Sequence, residues 1–117
     1  MKIKPYQTLS SKEVFKCRFF SLYEEEFLGG NGKKGTYYYS KIPHEYVHTI
    51  GLDLEKKNLI LVRQYRYPIK QICIDVPGGA IGKDENREDA ARREFEEETG
   101  YSGSKLIYLG KGSVESA

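Results

Sequence analysis

Hydrophobic and polar positions follow strand-like patterns along most of this chain and switch to a helical spacing only once. Residues 14–23, V-F-K-C-R-F-F-S-L-Y, are rich in aromatic and β-branched types and read as a strand, with Glu24-Glu25-Glu26 as its solvated continuation. Residues 1–13 carry little pattern and are expected to start as a mobile arm with Pro5 as a breaker. The glycine-rich stretch 29–35 reads as a hairpin tip. It lacks the G-K-[ST] ending of a phosphate loop, and no helix follows it. Residues 36–42 return as a second strand, broken by Pro43 and His44, and 45–54 alternate loosely as a third. Glu55-Lys56-Lys57-Asn58 is a tight polar turn. Leu59-Ile60-Leu61-Val62 is a continuous apolar run, as expected of a strand buried on both faces. That strand extends to Tyr67, with Arg63 and Tyr65 on one face and Gln64 and Arg66 on the other. Residues 72–76 form a further strand ending at Pro77-Gly78-Gly79.

The helical spacing begins near Asn86. Asn is a favoured N-cap, Asp89 places negative charge in the first turn, and Gly100 suits the left-handed position that ends a helix. Ala90, Ala91 and Phe95 give an apolar stripe to pack against a sheet. After the helix only residues 105–110 read as another strand.

Composition adds bounds rather than direction. The 117 residues suffice for one small domain. The net charge of +2 with 31% charged residues gives no argument for a nucleic-acid or membrane partner. No stretch resembles a secretory leader, and no apolar run is long enough to cross a bilayer. Cys17 and Cys73 are therefore expected as reduced thiols, one or both buried, in a cytoplasmic protein. His44 and His48 lie in a Pro-broken, strand-like context and read as surface or strand-end residues rather than a metal pair.

The chemistry is concentrated on the helix. Glu94, Glu97 and Glu98 stand at i, i+3 and i+4, which places them on one face with Cβ atoms roughly 5–6 Å apart. Alone, such a triplet reads as a solvated acidic face. It also suits a divalent cation, which would relieve the mutual repulsion, and oxygen ligands favour hard ions such as Mg²⁺. The wider pattern decides between these. Gly79, then after five intervening residues Glu85, and after seven more Arg93-Glu94-Phe95-Glu96-Glu97-Glu98-Thr99-Gly100-Tyr101 match the Nudix box at every fixed position. With each fixed type occurring at only ~5–7%, a chance match at a given start is on the order of 10⁻⁸. The chain resembles a Nudix hydrolase.

That resemblance implies an α+β fold: a Nudix-type mixed β-sheet with the Nudix loop and helix, preceded by an N-terminal antiparallel β subdomain. The division expected is residues 1–44 for the subdomain, on the dimer and substrate side, and 45–117 for a Nudix domain incomplete at its C-terminus. In the family a Nudix domain continues through more strands and a second helix, so the chain is expected to be a shortened product or to complete its core with a partner subunit. By resemblance Glu94 and Glu98, then Glu97, are the metal ligands, joined by the backbone carbonyl of Gly78. The cation is Mg²⁺, with Mn²⁺ as the alternative. Glu97, Glu98 and Arg93 form the catalytic group. Arg93 has two overlapping readings: an ordinary i, i+4 pair with Glu97, or the residue that orients a metal-binding glutamate. Glu85 is expected to orient the loop or assist the metal. Glu96 is expected to be solvated, and Glu88 and Asp89 to be charges of the helix start.

Outside the box, L-V-R-Q-Y-R at 61–66 and D-V-P-G-G at 75–79 resemble the ADP-ribose pyrophosphatase branch. Arg66 would then touch a substrate phosphate, with Arg63 as the weaker candidate. Aromatics among Tyr37, Tyr38, Tyr39, Phe19 and Phe20 are candidates for stacking on adenine, or equally for core or dimer contacts. The branch also implies a homodimer. Two departures stand out: Asp75 occupies a position where relatives often carry Glu, and the loop that supplies the branch's catalytic base lies beyond the box, where Glu115 is the only carboxylate. The expected activity is Mg²⁺-dependent hydrolysis of a nucleoside diphosphate linked to another moiety, ADP-ribose giving AMP and ribose 5-phosphate. The alternatives are a metal- and nucleotide-binding module without turnover, or a hydrolase of another nucleotide sugar.

Overall fold

The structure, a computed structural model, describes residues 4–103 and 105–113. The chain divides into two compact units, Met1–Pro43 with Gly110–Ala117, and His44–Leu109.

The first unit is built on a three-stranded antiparallel sheet of β1 (Gln7–Lys16), β2 (Ser21–Leu28) and β3 (Lys34–Lys41), in that order. Two expectations are corrected here. The patternless start becomes strand from Gln7, and the stretch 14–23 is not one strand but the end of one, a turn, and the beginning of the next. The Cys17 N–H donates to the Phe20 carbonyl at 2.9 Å to close that turn. The aromatic residues that suggested continuity meet across it, with Phe15 and Phe20 ring centroids 5.7 Å apart. β1 holds its place by polar cross-strand pairs rather than by a buried face. The Ser11 hydroxyl donates to Glu25 at 2.9 Å and the Tyr23 hydroxyl to Glu13 at 3.0 Å, while Tyr39 donates to Glu25 at 2.8 Å. A strand held this way has no apolar alternation to read. The 29–35 stretch is the hairpin tip expected: Gly29 N–H donates to the Lys33 carbonyl, and Gly32 adopts φ +78°, a conformation open to glycine.

The second unit carries three antiparallel pairs and the helix. β4 (Tyr46–His48) pairs with β9 (Gly78–Ala80), β5 (Gly51–Asp53) with β6 (Asn58–Ile60), and β7 (Val62–Arg66) with β8 (Gln71–Asp75). A single 3₁₀ turn, Tyr67–Ile69, links β7 to β8. The stretch 45–54 is thus two short strands with different partners, not one. The polar turn after it forms as read: Asp53 Oδ1 accepts from the Glu55 and Lys56 N–H groups at 3.1 Å, and Lys57 takes φ +56°. The apolar run 59–62 is not buried on both faces. Leu59 is 50% and Leu61 43% exposed, and only Val62 is buried, because the run straddles the junction between β6 and β7. Residues 105–110 do not form the expected strand. None of the described residues there pairs with a neighbour, and Ile107, Tyr108 and Leu109 are exposed. Cys17 and Cys73 are both free, and both are half-buried rather than buried.

The helix α1 (Arg87–Thr99) rests on its apolar stripe, with Ala90 fully buried and Phe95 7% exposed. The Phe95 ring lies over Gly51 of β5, so close that a Cβ there would overlap it. The Thr49 hydroxyl adds a bond to the Ala91 carbonyl at 3.4 Å. This anchoring fixes which helix face is turned toward β9.

Candidate active site on the loop and helix 78–98

The helix ends where its sequence says it should. Asn86 caps the N-terminus, its side-chain oxygen accepting from the Asp89 N–H at 2.9 Å, and Glu88 and Asp89 occupy the first turn, where negative charge meets the positive end of the helix dipole. Gly100, at φ +73°, closes the C-terminus by donating its N–H to the Glu96 carbonyl at 2.8 Å.

Between these caps the acidic face meets two successive glycines of β9. A Cβ at Gly79 would overlap the Glu94 carboxylate, so that carboxylate packs directly on the glycine backbone. The Gly78 N–H donates to Glu98 Oε2 at 3.0 Å. Gly78 is tight on its other side too: a Cβ would collide with the Val47 carbonyl and sit 2.8 Å from His48 Nδ1. Both glycines are therefore required by close approach, of a carboxylate in one case and of the β4 backbone in the other.

Arg93 is the hub of the cluster. Its Nε and Nη2 grip Glu85 in a two-point pair at 2.8 and 2.9 Å. Nη2 also donates to the Ala80 carbonyl at 3.1 Å, and Nη1 donates to Glu94 at 2.7 Å and to Glu97 at 3.3 Å. A guanidinium has five N–H groups, and each has a bond here. The Glu85–Arg93 pair, with the Gly82 N–H donating to Glu85 at 2.9 Å, holds the Glu85 carboxyl down to about 2. The same partner, followed by Glu94, raises the Arg93 guanidinium. Arg93 thus ties the loop 80–85 to the helix, and its i, i+4 contact with Glu97 is the longest of its bonds.

Glu98 is held by different means. Its Oε1 accepts from the Gln64 side-chain amide at 2.6 Å. Gln64 is a site residue that sequence reasoning missed. Alternation had placed it on the opposite face from Arg63, but nothing local says that this face of β7 looks toward α1. Arg66 is paired with Asp75, whose carboxyl it depresses, rather than with a glutamate of the helix. Arg63 is exposed and lines a shallow cleft with Leu61, Gln64, Glu98, Thr99 and Tyr101. His48 lies at the end of β4 and is exposed. Glu96 is exposed, as expected, and Glu115 lies outside the described residues.

Among the described residues, no three His, Cys, Asp or Glu side chains already converge as a ready-made metal cage. The arrangement nevertheless fits a hard cation that takes one or two carboxylates and completes its shell with water and phosphate oxygens. Among the described residues, one donor reaches each oxygen of Glu98, so both oxygens keep lone-pair capacity, and Glu94 lies against a bare glycine backbone.

Residues 43–116 match the NUDIX domain model. The chain belongs to the Nudix family. It is 34% identical over 109 residues to the ADP-ribose pyrophosphatase of Bacillus subtilis (strain 168), covering 93% of this chain and 58% of that protein. It is also 29% identical over 108 residues to a methanol dehydrogenase activator of Bacillus methanolicus, covering 92% of this chain and 57% of that one. A solved structure described as an ADP compounds hydrolase superposes with a TM-score of 0.76 at 24% identity, over 94% of this chain and 59% of its own. That likeness bears out the Nudix-type α+β fold. The chain spans less than two thirds of the length of each of these relatives.

Proposed function

We propose that this Nudix protein hydrolyses a nucleoside diphosphate linked to another moiety, with ADP-ribose as substrate and AMP and ribose 5-phosphate as products, in a reaction that depends on Mg²⁺ or Mn²⁺. The observation that carries the reading is the docking of Glu94 and Glu98 onto the adjacent glycines 79 and 78. Two carboxylates and a backbone segment come together at one edge of the helix without side chains in between. Glu94 and Glu98, with Glu97 and the Gly78 carbonyl, would hold the cation. When bound, it supplies charge neutralisation at the diphosphate and a more acidic water.

The chain's own residues do the rest. Arg93 fixes Glu94 and Glu97 relative to the loop, so the carboxylates need not reorganise when substrate arrives. Arg66 would bind a substrate phosphate, exchanging its Asp75 partner for phosphate oxygens, with Arg63 nearer the cleft as the second cationic contact. ADP-ribose as the substrate is favoured by the V-R-Q-Y-R strand and by the Bacillus subtilis relative's name, while the Bacillus methanolicus name leaves other partners and substrates in play. A cytoplasmic homodimer accompanies this reading. Among the described residues no helix is long and apolar enough to cross a membrane.

The test is AMP release from ADP-ribose with Mg²⁺, by this chain and by Glu98→Gln. AMP from the parent chain and a loss of ~10²-fold or more in the variant are expected, since the variant keeps shape but removes a charged ligand. Metal-dependent binding of ADP-ribose without AMP would replace the reading with a binding module. Neither binding nor cleavage would remove ADP-ribose.

A further inference from the structure

We infer that Gln64 is a positioning residue for Glu98: it holds the carboxylate in the orientation that receives the cation, an inference that rests on the metal-dependent reading above.

Glu98 occupies an unfavourable place. It lies in the last turn of α1, where the helix dipole presents its negative end, and that turn contains no basic residue. Glu97 beside it is reached by Arg93, but Arg93 makes no bond to Glu98. The half-buried Glu98 is satisfied instead by two neutral donors, the Gln64 amide on Oε1 and the Gly78 N–H on Oε2. They come from different strands, β7 and β9, so between them they fix both the position and the roll of the carboxylate plane. The Gln64 side chain must present its N–H₂ here, because an amide oxygen at 2.6 Å from a carboxylate oxygen would be repelled. Neutral donors suit this task better than a cation. A Lys or Arg in place of Gln64 would hold Glu98 equally well but would compete with the metal for its charge. Gln64 supports the carboxylate and leaves its full negative charge available.

The test uses the full chain and a volume-matched variant, Gln64→Met, which fills the same space and cannot donate. In the metal-free wild type, the Gln64 side-chain amide protons should be shifted downfield and slow to exchange in ¹⁵N-resolved spectra, and Glu98→Ala should abolish both effects. Mn²⁺ binding by electron paramagnetic resonance should then weaken by about 10–100-fold in Gln64→Met, as for other residues that support a metal ligand. The urea midpoint of the variant reports whether the fold survives. If wild type binds Mn²⁺, Glu98→Gln does not, and a folded Gln64→Met binds as tightly as wild type, Gln64 has no positioning role and the inference falls alone. If wild type itself binds no Mn²⁺, the metal-dependent reading falls and takes this inference with it.

Discussion

The seat of the helix gives the most quantitative prediction. Replacing Gly51 by Ala places a Cβ 2.6 Å from Phe95 Cζ and 3.2 Å from Ile60 Cβ. Carbon atoms in comfortable contact stand about 3.5–4.0 Å apart, so the ring must retreat by roughly 1 Å. It has little room to do so, because Phe95 is 7% exposed and belongs to a buried set that includes only Val62 and Ala90 among the described hydrophobics. Overpacking of this kind costs ~1–3 kcal/mol. The loss of glycine's freedom in the unfolded chain returns ~0.4–1 kcal/mol. The net expectation is a destabilisation of ~1–2 kcal/mol. Phe95→Leu removes the ring atoms that collide, so Gly51→Ala should cost less in that background, with a coupling of at least ~0.5 kcal/mol between the two sites. Urea unfolding followed by far-ultraviolet circular dichroism measures all four chains, and the protein has no tryptophan to serve as a probe. Two outcomes would refute the packing argument: Gly51→Ala as stable as the parent, or two substitutions that add without coupling.

Two further perturbations separate charge from shape in the site. Glu85 titrates at about 2 in the folded protein against an ordinary 4.5, so its pairing contributes stability that is complete above the ordinary value and is lost as pH falls toward 2. Melting temperatures of Glu85→Gln should therefore be lower than wild type at neutral pH and converge with it across that acid window; parallel curves would contradict the pairing with Arg93. Gly79→Ala should push the Glu94 carboxylate off the loop and weaken Mg²⁺ binding by about 10-fold or more, the range seen when a ligand's support is lost, and unchanged calorimetric affinity would place the cation away from Glu94.

What could be read from the sequence was whatever is decided locally. Asn86 and Gly100 bound the helix because capping depends on one residue and its near neighbours, and Ala90 and Phe95 lie inward because the spacing of a helix dictates it. The turns at 29–35 and 55–58 were legible for the same reason. The errors fall where a distant partner decides. β1 has no apolar face of its own and exists through bonds to Glu25 and Tyr23. The stretch 45–54 splits because Tyr46–His48 pairs with a strand after the loop, whereas Gly51–Asp53 pairs across the next turn. The site followed the same rule. The box pointed to the glutamates and Arg93, and the resemblance to the Gly78 carbonyl just before it, but Gln64 became visible only once β7 was laid beside the helix.

The crowding of negative charge on α1 does not by itself call for a metal. On the helix alone, Glu94, Glu97 and Glu98 should repel one another, and a cation would relieve them. The fold already provides that relief. Arg93 reaches Glu85, Glu94 and Glu97, while Gln64 and the Gly78 N–H take Glu98, so each box glutamate has a partner before any ion binds. A cation is favoured instead by what these partners leave open. Arg93 spends all five of its donors on fixing geometry, and Glu98 is supported only by neutral groups. A helix stabilised merely against its own charge would be served as well by lysines at its C-terminal turn, and α1 has none there. Glu98, held in place by neutral donors alone, and Glu94, packed on a glycine that admits close approach, suit a hard cation better than they suit a helix balanced only against its own charge.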